Sequence, residues 1–295
     1  MTEATIPVNL FNPGQVFACL GFVEAADILL GDAEGGFDWT KEADVRFRLR
    51  AKGEANPVAA VLDFVADAKV HPYAPHDYAD ASPRKKKEST SVTHDSVLGE
   101  TLTVDCDTFP AASADTMTLP IRLCVQNHPS WIQISHWADG STRNDFKLYA
   151  GNRSAVGIAT EMLRSVAALW QQSREDVIAQ PFDVLAPVRG SFNFDPRRAW
   201  TGIDAGYSPD KQSHALAASP VVEILTAIGL EHARPDEYDT RQVRYSAWGA
   251  LLPPLLARPA LSGARLGVSA RTFRFTLDLS GKNKVVTFAQ EERGA

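Results

Sequence analysis

The stretch RTFRFTLDLSGKNKVVTFA, residues 271–289, decides the fold class of this chain. Phe273, Phe275, Leu277 and Leu279 alternate with polar residues, which is the pattern of a strand with one buried face. The turn sequence SGKN leads into a second apolar run, so the stretch predicts a C-terminal β-hairpin.

Two helix starts lie far upstream of this hairpin. Asn12-Pro13 and Asn56-Pro57 each combine an N-cap with proline at the first helical position. Gly31 can end the first of these helices, because glycine adopts the left-handed conformation that follows many helices. Both helices carry apolar residues at helical spacing and are expected to pack on the core.

The rest of the chain mixes both kinds of element. Further helices are expected at residues 154–172 and 219–229, a strand at 44–51, and a strand pair at 119–126 and 131–137. No regular alternation of strand and helix occurs, so an α+β fold with mostly antiparallel strands is favoured over a doubly wound sheet. A separate C-terminal helical bundle is not expected.

The organisation of the chain follows from a change of composition in its middle. We expect an N-terminal α/β part at residues 1–70, a long flexible insertion at 71–118, and a C-terminal α+β part at 119–295. The two ordered parts are expected to pack together as one compact unit. The insertion contains the basic run RKKK, residues 84–87, which is more typical of a solvated loop than of a binding arm.

Composition excludes several classes of protein. The 295 residues are 44% hydrophobic and 22% charged, as in ordinary globular domains. No run of eighteen apolar residues predicts a membrane span, and the first residues lack the features of a signal peptide. The three cysteines are far apart and form no CxxC motif, which favours a reducing cytoplasm over a disulfide framework or a metal site.

Charge is unevenly distributed along the chain. The net charge is −6, but residues 241–284 contain eight basic residues and only one acid. An acidic body with a basic C-terminal segment could bind a polyanion on one face. The alternative is that these basic residues form ion pairs across the fold.

Catalytic and metal motifs are missing from the sequence. His136 and Asp139 have the spacing of a possible ligand pair, but a hydrogen-bonded, half-buried histidine on a strand is the favoured interpretation. Ser208 and Lys211 have the spacing of serine–lysine acyl enzymes without the partner motifs of that class. No phosphate-binding glycine loop occurs. We therefore expect no catalytic residue, no metal and no cofactor.

Features of nucleic-acid binding accumulate in four loops. The loop before the 154–172 helix is rich in amides and cations, and the N–H groups of a helix start favour a phosphate. The stretch GSFNFDPRRAW, residues 190–200, interleaves rings with cations, which suits base stacking, although core packing of Phe192 and Phe194 explains the rings equally well. The predicted nucleic-acid-binding residues are Arg143, Asn144, Lys147, Asn152, Arg153, Arg197, Arg198, Lys211, Gln212, Arg274, Lys282, Asn283 and Lys284.

Several long segments resemble one family. They are FNPGQVFACLGFVEAADILL, EGGFDW, SHWADGSTRNDFKLYAGNRSA, GSFNFDPRRAWTGIDAGYSPDK, VVEILTAIGLEHARP and FTLDLSGKNKVVTFA. Together they resemble the small version of the Cascade large subunit in type I-G (formerly I-U) CRISPR systems, over most of the chain except residues 71–118. The resemblance implies a non-catalytic subunit of an RNA-guided antiviral complex.

The resemblance also implies partners. Such subunits contact the 5′ end of the guide RNA and other Cascade subunits, read a protospacer-adjacent motif in double-stranded target DNA, and recruit a helicase-nuclease. The protein reads a short motif and backbone shape while guide pairing reads sequence, as in other RNA-guided effectors. Many large subunits have a C-terminal helical bundle, and its expected absence here puts retention of the displaced strand in doubt.

A row of three arginines provides a further candidate contact. Arg46, Arg48 and Arg50 lie on one side of the strand predicted at 44–51, and we expect this row to contact guide RNA or a neighbouring subunit. Two other functions remain open. One is a free-standing nuclease or RNA-processing enzyme that uses His136, Asp139 and Lys147 as acid and base groups, and the other is a protein-binding scaffold.

Overall fold

A computed structural model gives the fold. It describes residues 1–75, 97–104, 119–138, 146–149, 153–188, 190–199, 216–280 and 283–292. Helices and mostly antiparallel sheets are mixed in these residues, so the predicted α+β class is confirmed.

The helices and strands are numbered in chain order. The helices are α1 (Pro13–Leu29), α2 (Pro57–Asp67), α3 (Ala155–Gln172), α4 (Arg174–Ala179), α5 (Pro220–His232) and α6 (Pro254–Leu261). The first seven strands are β1 (Thr2–Pro7), β2 (Glu34–Asp38), β3 (Arg46–Ala51), β4 (Lys69–Pro75), β5 (Leu102–Val104), β6 (Ile121–Cys124) and β7 (Trp131–Ile134). The others are β8 (Ala186–Val188), β9 (Leu216–Ala218), β10 (Asp236–Asp239), β11 (Gln242–Trp248), β12 (Ala270–Ser280), β13 (Asn283–Val286) and β14 (Gln290–Glu291). No described helix is both long enough and apolar enough to cross a membrane.

Helix α1 forms the centre of the fold. Its start is the predicted one, because the Asn12 side chain accepts a hydrogen bond from the Gln15 N–H and Pro13 is the first helical residue. Gly31 follows the helix with φ +83°, as expected for a glycine that ends a helix. Every residue from Pro13 to Ala26 is buried, so α1 is a core helix and not the one-sided helix that its spacing suggested.

Helix α5 packs directly on α1 and differs from the prediction at its end. We expected this helix to end at Gly229, but it continues to His232. A Cβ at Gly229 would overlap the carbonyl oxygen of Phe17, and a Cβ at Gly21 would overlap the backbone of Leu225. The two glycines therefore allow close contact between helix backbones, and Gly229 serves packing and not termination.

The remaining helix predictions are confirmed at their starts. Asn56 caps α2 by accepting from the N–H groups of Val58 and Ala59. Ser154 caps α3 by accepting from the N–H of Gly157, and α3 ends at Gln172 as predicted.

The predicted hairpin belongs to a larger antiparallel sheet. Strands β12 and β13 pair with Leu277 opposite Val286 and Ser280 opposite Asn283. The sheet has the order β10-β11-β12-β13, and β14 also pairs with β12. Its buried face contacts α1, where Tyr245 packs with its ring centroid 5.4 Å from that of Phe17.

Two larger sheets flank the helices, and the fourth sheet of the described residues is the antiparallel pair β8-β9. The three-stranded sheet has the order β1-β3-β2, with β3 in the centre. The four-stranded sheet has the order β5-β4-β6-β7 and contains the predicted strand pair as β6 and β7. Strand β4 and parallel strand β5 fall at residues 69–75 and 102–104, so parts of the predicted 71–118 insertion belong to this sheet.

Candidate nucleic-acid interface

Strand β13 joins two of the predicted loops through its backbone. The N–H of Lys284 donates to the carbonyl oxygen of Leu148 over 3.1 Å. Two residues later, the N–H of Val286 donates to the carbonyl oxygen of Asn193 over 3.2 Å. We call residues 146–149, 190–199 and 283–286 the β13 junction, because three segments that are distant in sequence meet there.

Lys147 lies on an aromatic layer in this junction. Its Nζ is 5.0 Å from the ring centroid of Tyr149, which is a cation–π distance. Tyr149 is buried, and the rings of Trp137 and Phe192 stack beside it with centroids 5.2 Å apart. Phe192 therefore packs in the core, so core packing and not base stacking explains this ring.

Arg153 reaches the junction from the start of α3. It is exposed, and a Cβ at Gly190 would collide with its guanidinium group. The N–H of Gly190 donates to Glu161 over 3.2 Å, which fixes the loop beside the helix. The first turn of α3 carries no acidic residue, so the positive end of the helix dipole adds to the charge of Arg153.

Arg197 has a partner within the protein. Its guanidinium group binds Asp195, with Nη2 2.7 Å from Oδ2, and also donates to the carbonyl oxygen of Phe182 over 2.7 Å. The Asp195 side chain is fully buried and accepts a further hydrogen bond from the N–H of Ser219. Arg197 therefore neutralises a buried carboxylate. The contact of Arg197 with nucleic acid remains a prediction.

Glu223 in α5 holds the backbone of the same turn. One of its carboxylate oxygens accepts from the N–H groups of Phe194, over 3.1 Å, and Asp195, over 2.9 Å. Complete burial raises the pKa of Glu223 to about 7, and the nearby Asp195 carboxylate adds to the effect. Arg198 partly opposes this increase and donates to the hydroxyl of Ser191, so it too lies within the junction.

Arg274 is separated from the rest of the predicted set. Residues alternate between faces along β12, so Arg274 shares a face with Thr276, whereas Lys284 lies opposite Leu279 on the other face. Arg274 is exposed, and its neighbour on β11 is Arg244. The structure therefore does not bring Arg274 to the junction.

Ion pairs neutralise three of the eight basic residues in the C-terminal segment 241–284. Arg244 binds Glu292 at 2.9 Å and Arg271 binds Glu291 at 2.6 Å. Arg258 reaches a buried acid in α1, with its Nε 2.7 Å from Glu24. The alternative of pairing across the fold therefore holds for these three arginines.

The arginine row on β3 also has acidic partners. Arg46 binds Asp44 at 2.8 Å, Arg48 binds Glu3 at 2.8 Å, and Arg50 binds Glu34. The predicted alternation is confirmed, because Phe47 and Leu49 are buried on the opposite side of the strand. The row is thus a set of half-exposed ion pairs, and its contact with guide RNA or a subunit remains a prediction.

Some predicted residues fall outside the described part of the chain. They are Arg143, Asn144, Asn152, Lys211, Gln212 and Lys282. Asp139 of the alternative enzymatic set also falls there.

His136 differs from the prediction in place and in burial. It follows β7, which ends at Ile134, and so lies in a turn and not on a strand face. It is only 7% exposed, and burial lowers its pKa to about 3, with a smaller contribution from the positive charge of Arg234. An imidazole that stays neutral throughout the physiological range is poorly suited to general acid catalysis. In the described part of the chain, no group of three or more potential ligands could hold a metal ion.

The sequence analysis missed two residues with a binding geometry. Trp131 on β7 is 50% exposed and lies beside Arg122 of β6, on a sheet face that we had read only as part of a strand pair. The available signal was the alternation of WIQI, which places Trp131 and Gln133 on the polar face.

Comparison with protein-family models, with curated proteins and with solved structures finds no match for this chain.

Proposed function

We propose that this chain is a non-catalytic nucleic-acid-binding subunit of an RNA-guided type I CRISPR effector of the Cascade type. The observation that carries the proposal is the meeting of three segments at the β13 junction. These segments contribute residues 146–149, 190–199 and 283–286. Each belongs to one of the long sequence segments that resemble the small version of the Cascade large subunit. The β13 junction is therefore the site at which we propose that nucleic acid binds.

The chemistry of the junction suits a phosphate backbone. Lys147, Arg153 and Lys284 bring cationic groups to the junction, and the α3 N-terminus adds N–H groups without an acid in its first turn. Arg198 lies in the same region, next to Ser191. Such an arrangement contacts a nucleic acid without performing chemistry on it, and the low pKa of His136 weighs against the enzymatic alternative.

The proposal includes partners and a compartment. The chain would contact the 5′ end of the guide RNA and the double-stranded target, take part in recognition of the adjacent motif, and help to recruit the helicase-nuclease. It would do so in the cytoplasm, beside the other Cascade subunits, as part of antiviral defence. A scaffold that docks an acidic protein is less well supported, because ion pairs already engage all three arginines of the β3 row.

An assay on the isolated chain separates the three functions. The purified chain is incubated with labelled RNA, single-stranded DNA and duplex DNA, with and without Mg²⁺, and both binding and cleavage are measured. We expect binding without cleavage. Cleavage that His136→Gln abolishes would establish the enzyme instead, and the absence of both activities would favour the scaffold.

A further inference from the structure

One face of the β5-β4-β6-β7 sheet is not part of the core. Val70, Leu123, Ile132 and Ile134 point to the buried face, which belongs to the main hydrophobic core. The alternate residues point the other way. These alternate residues include Lys69, His71, Tyr73, Arg122, Cys124, Trp131 and Gln133, which we call the open sheet face.

An arginine on this face lies between two aromatic rings. The guanidinium carbon of Arg122 is 4.8 Å from the ring centroid of Tyr73 and 5.3 Å from that of Trp131. Its buried Nε has no hydrogen-bond partner in the described residues. Most other half-exposed arginines of the fold bind carboxylates, whereas Arg122 lies between two rings and forms no ion pair with a carboxylate of the described residues.

The strands that form this face carry only positive charge. Residues 69–75, 102–104, 121–124 and 131–134 contain no Asp or Glu, in a chain that has 36 of them. Lys69 is exposed at one end of the face, and Trp131 is 50% exposed in the row that also contains Cys124. The described strands of this face therefore combine an accessible ring with nearby cations and contain no carboxylate that would repel a polyanion.

We propose that the open sheet face binds single-stranded nucleic acid. A base stacks on the exposed ring of Trp131, while Lys69 and the guanidinium group of Arg122 contact phosphate or base-edge oxygens. Stacking on a ring needs an unpaired base, so the site selects a single strand over a duplex. The inference rests on the proposed nucleic-acid function and adds a second site with a defined class of ligand.

The test measures fluorescence anisotropy of three labelled probes with the full chain. The probes are an oligouridine and an oligothymidine of about 12 nucleotides and a duplex of the same length. Trp131→Ala should weaken binding of single strands about tenfold and leave duplex binding unchanged. Trp131→Phe should restore most of the affinity, because a phenyl ring still stacks.

A second tryptophan provides the matched control. Trp170 in α3 also stacks with an arginine, Arg174, at 4.9 Å, but that arginine binds Asp63 at 2.8 Å. Trp170→Ala should therefore leave the binding of all probes unchanged. Lys69→Gln changes only an exposed side chain, keeps the fold testable, and should reduce the salt dependence of single-strand binding by about 0.7 in log–log slope.

Each outcome decides the proposal. Loss of single-strand binding in Trp131→Ala with an unchanged Trp170→Ala supports it, and the relative affinity of oligouridine and oligothymidine then identifies RNA or DNA as the preferred strand. Unchanged single-strand binding in Trp131→Ala overturns the sheet site but leaves the proposed function intact. Equal losses for single strand and duplex also overturn it. Failure of the wild-type chain to bind any probe contradicts both proposals.

Discussion

The backbone N–H of Lys284 donates to the carbonyl oxygen of Leu148 over 3.1 Å and joins the C-terminal hairpin to the segment before α3. The bond involves no side-chain atom, so substitution of Lys284 or of its neighbour Lys147 leaves it in place. The charge of the β13 junction can therefore be altered without removal of the contact that builds it.

The first prediction concerns that charge. The triple variant Lys147→Ala, Arg153→Ala and Lys284→Ala should reduce the log–log slope of duplex affinity against salt by about 2–3, because each lost phosphate contact contributes about 0.9. Titration of a labelled duplex at several salt concentrations measures the slope. A control triple at exposed residues outside the junction, Lys41→Ala, Lys52→Ala and Arg265→Ala, removes equal charge. Equal slopes for the two triples would show that the junction makes no specific contact.

The second prediction separates base reading from backbone contact. Asn144 lies outside the described residues, but its place in the sequence before Lys147 predicts an approach to a base edge. Asn144→Ala in the assembled complex should change the preference among adjacent-motif sequences, since a good base contact discriminates by about 1–3 kcal/mol. Lys147→Ala should weaken all sequences alike. Binding to a library of motif variants measures both, and a uniform loss in both variants would leave only backbone positioning in this loop.

The third prediction concerns Arg197, which the structure gives a structural partner. Arg197→Ala leaves the buried Asp195 carboxylate without its cation and should lower the free energy of unfolding by about 3 kcal/mol. Arg46→Ala removes a half-exposed pair with Asp44 and should cost less than about 1 kcal/mol. Urea denaturation measures both variants. Similar small losses of unfolding free energy in both variants would mean that Arg197 does not stabilise the buried Asp195 carboxylate.

The fourth prediction concerns the pH dependence of stability. The native state raises the pKa of Glu223 from 4.5 to about 7, so between these values it keeps a proton that the unfolded chain releases. This carboxyl group therefore makes the wild-type free energy of unfolding fall as pH rises through that window. Glu223→Gln lacks this titration. Its stability relative to wild type should increase by roughly 3 kcal/mol from pH 4.5 to pH 7.

Both wild type and Glu223→Gln contain His136, so its contribution to the pH dependence of stability cancels in the difference between them. The native pKa of His136 is about 3, so His136 makes both proteins lose stability as pH falls below its ordinary value of 6.5. Glu175→Gln in α4, at an exposed position, is the control for the removal of a carboxylate elsewhere on the protein. Denaturation at a series of pH values gives the curves. A constant difference for Glu223→Gln would mean that the buried carboxyl group has an ordinary pKa.

The fifth prediction concerns the contact between α1 and α5. Gly21→Ala places a methyl group where the Leu225 backbone lies and should lower the free energy of unfolding by about 1–3 kcal/mol. Gly157→Ala, at an exposed position in α3, should change stability by less than about 1 kcal/mol, because alanine is the better helix former. Thermal denaturation compares the two. A stabilised Gly21→Ala variant would contradict the close packing of these helices.

Local signals in the sequence were sufficient for the starts of helices and for the hairpin. Asn12-Pro13, Asn56-Pro57 and Ser154 act through neighbours within three residues, so their capping could be read directly. Gly229 could not be interpreted in this way, because its role depends on Phe17 more than 200 residues away. The same limit applied to α1, whose burial on all sides follows from the elements around it.

The ion pairs could not be predicted from sequence for the same reason, because their acidic partners are distant in the chain. The sequence revealed the arginines of β3 and of residues 241–284, but not Glu3, Glu292 and Glu24, which bind three of them from other elements. Those partners depend on strand order and helix packing. Arg122 and Trp131 were missed for a related reason, since their stacking crosses two strands and leaves no motif in either one.

The central claim is that the chain works with guide RNA inside an effector complex. The most direct measurement is purification of a tagged chain from its native cells, followed by sequencing of the bound RNA and identification of the bound proteins. The account predicts guide RNAs with a common repeat-derived 5′ end, together with other Cascade subunits, and reduced RNA recovery with the Lys147, Arg153 and Lys284 triple variant. Recovery of the chain without RNA and without effector subunits would contradict the account.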